Sequence, residues 1–540
     1  MKSIALFSAG LVAATSLFAL SANAADSAVA NTATPIKHLV VIFQENVSFD
    51  HYFATYPEAA NPEGEPQFTA APDTPKDVNT LKSAGLLTDN PNAANTENGA
   101  DAAAPFPLDR SQAATADQEH GYGAEQGAFN DFKMDLFPKY TGKGTAGAAG
   151  SFGTKGQVMG YFDGNTVTAL WNYAQNFAMS DNSFSTTFGP STPGAINLVS
   201  GQTNGAILPK GYTLSEDGSY SKGSAIPDGV GGWTIISDLD PTGDPCSKGD
   251  TYSMYGPNIG DQLNARDITW GWFHGGFDLT ATNPNGTTGC DRTTHNEVTN
   301  VTENDYLPHH QPFQYYASTA NPNHTRPTSV DVIGISDDGG ANHQYDLEDF
   351  YAVVKNGNIP SVSFLKAQGY QEGHAGYSDP LSEQEFIVKV VNTMMDSPAW
   401  KDTAIIVLYD DSDGWYDHAH ALVNPSNAPI AGYDVLNGDR CGAGTPLPGV
   451  AGMPANGRCG HGTRQPFLVI SPYAKKNFVD HTLTDQTSVI RFIQDNWLGG
   501  QRLGYGSFDA IAGSIENMFD FANGGSTPAV KLDPKTGEKM

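Results

Sequence analysis

Two stretches of this chain are apolar at nearly every position and rich in β-branched residues: Leu39-Val40-Val41-Ile42-Phe43 and Thr403-Ala404-Ile405-Ile406-Val407-Leu408-Tyr409. A strand with one wet face alternates polar and apolar residues, so unbroken runs predict strands buried on both faces, as in parallel sheets covered by helices. Ile268 to Phe273, Pro360 to Leu365 and Pro466 to Ile470 are further strand candidates. Helical patterns lie between them. Ser382 with Glu385 forms a capping box, and Ile387, Val390, Val391 and Met394 keep helical spacing as far as Met395. Tyr345 to Asn356 stops at Gly357, and Thr484 to Trp497 stops at Gly499. This alternation predicts an α/β fold with a mostly parallel central sheet and helices on both faces.

The 540 residues read as an N-terminal export signal over 1–24, one large domain over 25–521 and a polar tail over 522–540 that is expected to fray. Met1-Lys2, the apolar run Ile4 to Leu20 and Ser21-Ala22-Asn23-Ala24 carry the positive start, apolar middle and small-x-small end of a signal cleaved after Ala24. Two insertions stand out by composition. Asn61 to Ala104 is rich in Ala, Asn and Pro, and Gly205 to Asp261 is rich in Gly and Ser, so both are expected as long loops.

Charge and cysteine usage narrow the function. A formal net charge of -30 repels phosphate backbones and anionic lipid surfaces, which excludes nucleic acid as a partner. No stretch after the signal is apolar for long enough to span a bilayer. The four cysteines suit an oxidising compartment, periplasm or medium. Their order suggests Cys246 with Cys290 and Cys441 with Cys459, although four cysteines allow three pairings.

Ligands in open parallel sheets gather beyond the carboxyl ends of the strands. The two buried runs are followed there by Glu45-Asn46 and Asp410-Asp411. Either pair alone is common in turns and caps. Together they offer three carboxylates and an amide oxygen, a hard donor set for a divalent cation. A second feature is Gly189-Pro190-Ser191-Thr192-Pro193-Gly194, where a turn feeds a helix start. Ser191 reads there as an N-cap, and a hydroxyl at that place faces the positive helix end where a phosphate docks. His120, the pair His309-His310 and His374 are candidates to finish such a site, since a protonated imidazole donates charge-assisted hydrogen bonds to phosphoryl oxygens. Asp413 and Gly414 read as a turn, because the twelve-residue calcium-loop pattern is absent.

Three ordered blocks carry a resemblance. Glu45-Asn46-Val47-Ser48-Phe49-Asp50-His51-Tyr52-Phe53, Thr187-Phe188-Gly189-Pro190-Ser191-Thr192-Pro193-Gly194 and Tyr409-Asp410-Asp411-Ser412-Asp413-Gly414-Trp415-Tyr416-Asp417-His418 resemble the bacterial phosphoesterase family of acid phosphatase A and phospholipase C. The likeness runs from about Pro35 to about Trp497. It implies an alkaline-phosphatase-like α/β core and metal-assisted phosphoryl transfer to an enzyme hydroxyl. Carried over by position, Glu45, Asn46, Asp410, Asp411 and Ser191 hold one divalent cation, Ser191 is also the nucleophile, and His120, His310 and His374 surround the phosphoryl group. His309 stays open as an alternative to His310. Phospholipase C members often have Arg at the place of Val47, Thr at that of Ser191 and Asp-Glu at that of Asp410-Asp411, so the chain resembles the acid-phosphatase branch more closely.

The expected function is therefore an exported acid phosphatase that hydrolyses phosphomonoesters through a phosphoserine, with an acidic optimum. A phospholipase C acting on phosphatidylcholine-type lipids at the same site is the alternative, and a non-catalytic phosphate- or metal-binding protein the remote one. A sulfatase is disfavoured, since Ser191-Thr192-Pro193-Gly194-Ala195 lacks the arginine of the formylglycine frame. Mg, Mn, Ca and ferrous iron all accept the oxygen set. Asp417, His418 and His420 are the nearby residues that a second cation would need.

Overall fold

The computed structural model describes Met1 and residues 31–540 except 146–149, 422–423, 429, 431, 439 and 526. The export signal over 1–24, Met1 apart, lies outside the described residues.

Eight strands form the central sheet: β1 (His38–Gln44), β2 (Ala178–Ser180), β3 (Trp270–His274), β4 (Gln344–Asp346), β5 (Val362–Lys366), β6 (Thr403–Tyr409), β7 (Phe467–Ile470) and β8 (Phe478–Asp480). Their order is β4-β3-β5-β1-β6-β7-β2-β8. β7 runs antiparallel to both neighbours, and the other five pairings are parallel. The two apolar runs sit side by side at the centre, with Leu39 opposite Ala404 and Gln44 opposite Tyr409. Every residue of β6 is buried, as are all those of β1 after His38, which is why neither run alternates.

Helices cover the sheet on both sides. Trp272 and Phe273 are neighbours on β3 and therefore point to opposite faces. Trp272 packs on Phe364 and Phe313, and the turn carrying Phe313 packs against α3 (Ser191–Ser200), which itself meets α6 (Thr487–Trp497). Phe273 packs on Phe350 of α4 (Leu347–Asn356), beside α5 (Pro380–Asp396) and α2 (Thr168–Asn176). The short α1 (Phe49–Phe53) follows β1.

Helix boundaries differ from expectation at their N-termini. α5 starts at Pro380 because Asp379 caps it, accepting from the N–H groups of Leu381 and Ser382. Ser382 thus lies inside the helix, and its hydroxyl also bonds Asp379. α4 starts at Leu347 on an Asp346–Asp349 capping box and ends at left-handed Gly357. α6 starts at Thr487, since Thr484-Asp485 is spent in a short strand with Ser183-Phe184.

Both suggested disulfides are present, Cys246–Cys290 and Cys441–Cys459. The tail is docked, against expectation: Leu532 is buried, and Asn172 and Gln384 donate to the carbonyls of Gly537 and Lys535. Among the described residues, no helix is long and apolar enough to cross a membrane.

Candidate phosphoryl-transfer site

The β1–β6 register sets the site. Parallel pairing in register brings both chains off the sheet at one point, so Glu45-Asn46 and Asp410-Asp411 emerge together. Asn46 turns the backbone at φ 64°, a conformation its short amide tolerates. Its N–H donates to Asp410 Oδ1 (2.9 Å) and its side-chain N–H to Asp413 Oδ1 (3.1 Å).

α3 then presses its first turn onto this end. A Cβ on Gly194 would lie 2.2 Å from the carbonyl oxygen of Asp410, so only glycine permits the approach. The approach places Ser191 Oγ 2.8 Å from Glu45 Oε2 and 3.3 Å from Asp411 Oδ2. Ser191 is not the N-cap expected from sequence. Pro190 holds that place, Ser191 is the first helical residue, and its hydroxyl is released to the carboxylates. The adjoining Thr192 N–H donates to Asp238 Oδ1 (2.8 Å). Glu125 braces the turn, taking the Gly189 N–H on one oxygen (3.0 Å) and the Ser412 hydroxyl on the other (2.7 Å).

The donor set fits a cation on two grounds. The Ser191 hydroxyl has one proton and faces two carboxylate oxygens, so one of these contacts sets acceptor against acceptor. Asn46 Oδ1 and Asp410 Oδ2 are also buried without a hydrogen-bond partner. Burial and the neighbouring Asp410 push the carboxyls of Glu45 and Asp411 well above the usual range, a repulsion that a cation relieves.

The structure gathers the three histidines around this set. His310 is buried, its Nδ1 bonding Glu372 Oε2 (3.0 Å) and lying 3.5 Å from Glu45 Oε1, with Nε2 unpartnered. His309 turns instead toward Asp240 (3.4 Å). His120 Nδ1 bonds the Gln118 carbonyl (2.8 Å) and lies 3.3 Å from Asp413. His374 stacks on Tyr377 and stands 6.1 Å, ring to ring, from His120. They differ electrostatically. Burial opposes the charge of all three, but Asp411, Asp413 and Asp117 overcome it at His120 and raise it to about 10. Burial lowers His374 to about 4, and burial with His309 and Lys366 nearby keeps His310 well below its ordinary value.

One further sequence reading is corrected. Asp413 belongs to the site as well as to a turn, accepting from Asn46 and Gln118. Asp417 and His418, named from sequence as ligands for a second cation, join Asp50 and Arg464 in a separate, largely buried ion-pair network, where Asp50, Asp417 and His418 bring ligand atoms close enough together to hold a metal ion; His420 lies apart from them, against Phe132. Lys366, Glu372 and Glu125 are site residues that sequence reasoning missed. A lysine at a strand end reads as solvent-exposed, and a lone glutamate carries no motif.

A family model described as "Phosphoesterase family" matches residues 36–498. Over 518 residues the chain is 24% identical to a non-hemolytic phospholipase C of Pseudomonas aeruginosa, covering 93% of this chain and 60% of that protein. It is 24% identical to a non-hemolytic phospholipase C of Burkholderia pseudomallei, over 86% of this chain and 55% of that protein. Phospholipase C B of Mycobacterium tuberculosis is 30% identical over 32% of each chain. The matches thus span less than two thirds of the length of these relatives. Among solved structures, murine ectonucleotide pyrophosphatase/phosphodiesterase 5 aligns with 66% of this chain and 95% of its own at 13% identity, with a TM-score of 0.28.

Proposed function

Because the chain belongs to the phosphoesterase family, we propose that it hydrolyses phosphoric esters by transferring the phosphoryl group to Ser191 and then to water. The observation that carries this reading is the Ser191 hydroxyl at the first turn of α3, released from capping and set on Glu45 and Asp411. Glu45, Asn46, Asp410, Asp411 and Ser191 would hold one divalent cation. When bound, it supplies Lewis-acid chemistry, lowering the pKa of a coordinated hydroxyl and offsetting charge on phosphoryl oxygens.

The chain's own groups do the rest. Ser191 Oγ gives its proton to a carboxylate and forms the bond to phosphorus as the ester P–O bond breaks. His120, which keeps its proton among three carboxylates, donates toward the anionic oxygens and the departing alcohol. His310, with Nδ1 held by Glu372, presents Nε2 to take a proton from the water that cleaves the phosphoserine. His374 stands beside His120 and would line the phosphoryl group with it.

The relatives named above are phospholipases C, and they move that substrate class ahead of the phosphomonoester reading that the sequence ranks first. The substrate proposed is accordingly a phosphodiester joining a polar headgroup to a diacylglycerol, cut on the glycerol side. The phosphomonoester reading keeps one observation in its favour. Beside Asp238, which bonds the Thr192 N–H, lies a cavity of ≈ 770 Å³ lined mainly by Ser, Thr, Lys and Asp, a surface suited to polar substrates. The two disulfides support a location outside the cytoplasm.

The test is hydrolysis of phosphatidylcholine and of an aryl phosphomonoester by the purified chain, before and after chelation. Chelator-sensitive release of diacylglycerol and phosphocholine supports the phospholipase C reading. Turnover of the monoester alone reverses the order, and no turnover of either with any added divalent cation overturns both.

A further inference from the structure

Lys366 is the last residue of β5, beside β1, and is fully buried. Its ammonium hydrogen-bonds Glu45 Oε1, lies 3.8 Å from Glu372 Oε2 and stands 5.2 Å from the centroid of the Phe43 ring. Glu45, Glu372 and His310 bring ligand atoms close enough together to hold a metal ion themselves. The ammonium rests against both carboxylates of that group.

We propose that Lys366 is a positioning residue that serves as a permanent second cation. It fixes Glu45 so that the opposite oxygen meets Ser191, and it keeps a second metal ion out of the Glu45–Glu372–His310 group. The proposal rests on the reading of Glu45 as a ligand to a single divalent cation.

The contacts form one line. Lys366 holds Glu45 Oε1, and Glu45 Oε2 accepts from Ser191 Oγ at 2.8 Å. Rotation of the Glu45 carboxylate about its last torsion, which is soft in a glutamate, would break the Ser191 contact. An ammonium suits the role because it is a compact point charge on a flexible stem, able to sit between two carboxylates where a planar guanidinium would need more room. Buried carboxylates also demand a counter-charge. Two-cation phosphoesterases meet that demand with a second metal ion about 4 Å from the first; here the covalent chain meets it. A dication placed beside the fully buried Lys366 would face its positive charge where the effective dielectric is far below that of water.

The test is a count of bound Mn²⁺ on the metal-stripped and reloaded full chain, by electron paramagnetic resonance and elemental analysis, alongside steady-state kinetics. Wild type is expected to bind one equivalent. Lys366→Ala, which removes the charge and opens the space, is expected to bind two, with kcat lowered about 10- to 100-fold and KM within about twofold. Lys366→Arg, which keeps the charge, should stay at one equivalent and recover part of kcat. One equivalent in a Lys366→Ala protein with native circular dichroism overturns the proposal. Two equivalents in wild type overturn it without any variant. No bound Mn²⁺ in wild type withdraws the single-cation reading, and the proposal with it.

Discussion

Ser191 Oγ and Glu45 Oε2 lie 2.8 Å apart across 146 residues of sequence. One stands at the start of a helix and the other just beyond the end of a central strand, so neither element can shift without parting them.

If that hydroxyl is the nucleophile, Ser191→Ala should lower kcat by on the order of 10⁴-fold or more. Phosphate should still raise the melting temperature of the variant, because the other site groups remain. Retained turnover in a folded Ser191→Ala protein would remove the serine from the mechanism.

Gly194 is a contact point between α3 and the chain just beyond β6, since a Cβ there meets the Asp410 backbone. Gly194→Ala is expected to cost about 1–3 kcal/mol of stability, as overpacking does, and to reduce kcat more than a surface Gly→Ala change of equal stability cost. Chemical denaturation with parallel kinetics checks both. A variant as stable and active as wild type would mean that the helix can retreat freely.

Chelation should lower the melting temperature as well as abolish turnover. A cation that binds only the folded state adds about 2.7 kcal/mol when its concentration is 100 times Kd. A thermal scan with and without chelator, at fixed ionic strength, measures this. An unchanged melting temperature would dissociate the acidic set from metal binding.

Glu383 gives a pH-dependent prediction away from the site. It is buried and accepts from Tyr52 (2.8 Å) and Tyr409 (2.5 Å), and burial raises its carboxyl from an ordinary 4.5 to about 7. Between those values the folded protein holds more protons at this group than the unfolded chain does. Its contribution to stability therefore falls as pH rises from about 4.5 to 7, with an amplitude of roughly 3 kcal/mol. Glu383→Gln should flatten the dependence of melting temperature on pH over that window. An identical slope in the variant would assign the effect to another group.

Much of this arrangement can be read from sequence, and the reason is burial. β1 and β6 are enclosed on both faces, which writes them as unbroken apolar runs, and the residues just after them are necessarily at the carboxyl end of the sheet. The position of Glu45-Asn46 and Asp410-Asp411 follows from that, whereas their role as a ligand set and that of Ser191 as a nucleophile rest on the resemblance of the three motif blocks, since the turn-and-proline setting alone reads Ser191 as a cap. What escapes is whatever depends on a contact between distant segments. Lys366 is 321 residues from Glu45, and nothing in Phe364-Leu365-Lys366 distinguishes a buried ammonium from a solvated one. Glu125 is equally silent until Gly189 and Ser412 are seen on its two oxygens. Helix starts slip by a few residues because Asp379 outcompetes the later Ser382 for the free N–H groups of α5, and because Asp346, inside the stretch read as helical, is itself the cap of α4.

The central sheet tapers from seven-residue strands at its middle, β1 and β6, to three-residue strands at its ends, β4 and β8. Each end strand finishes in a buried aspartate that is already partnered, Asp346 capping α4 and Asp480 accepting from Asn517. A long bare strand is a template on which another chain can pair, and short, covered ones offer little to pair with. The geometry that brings two long strands together under the serine thus leaves the sheet with short, covered margins that discourage one copy from growing onto the next.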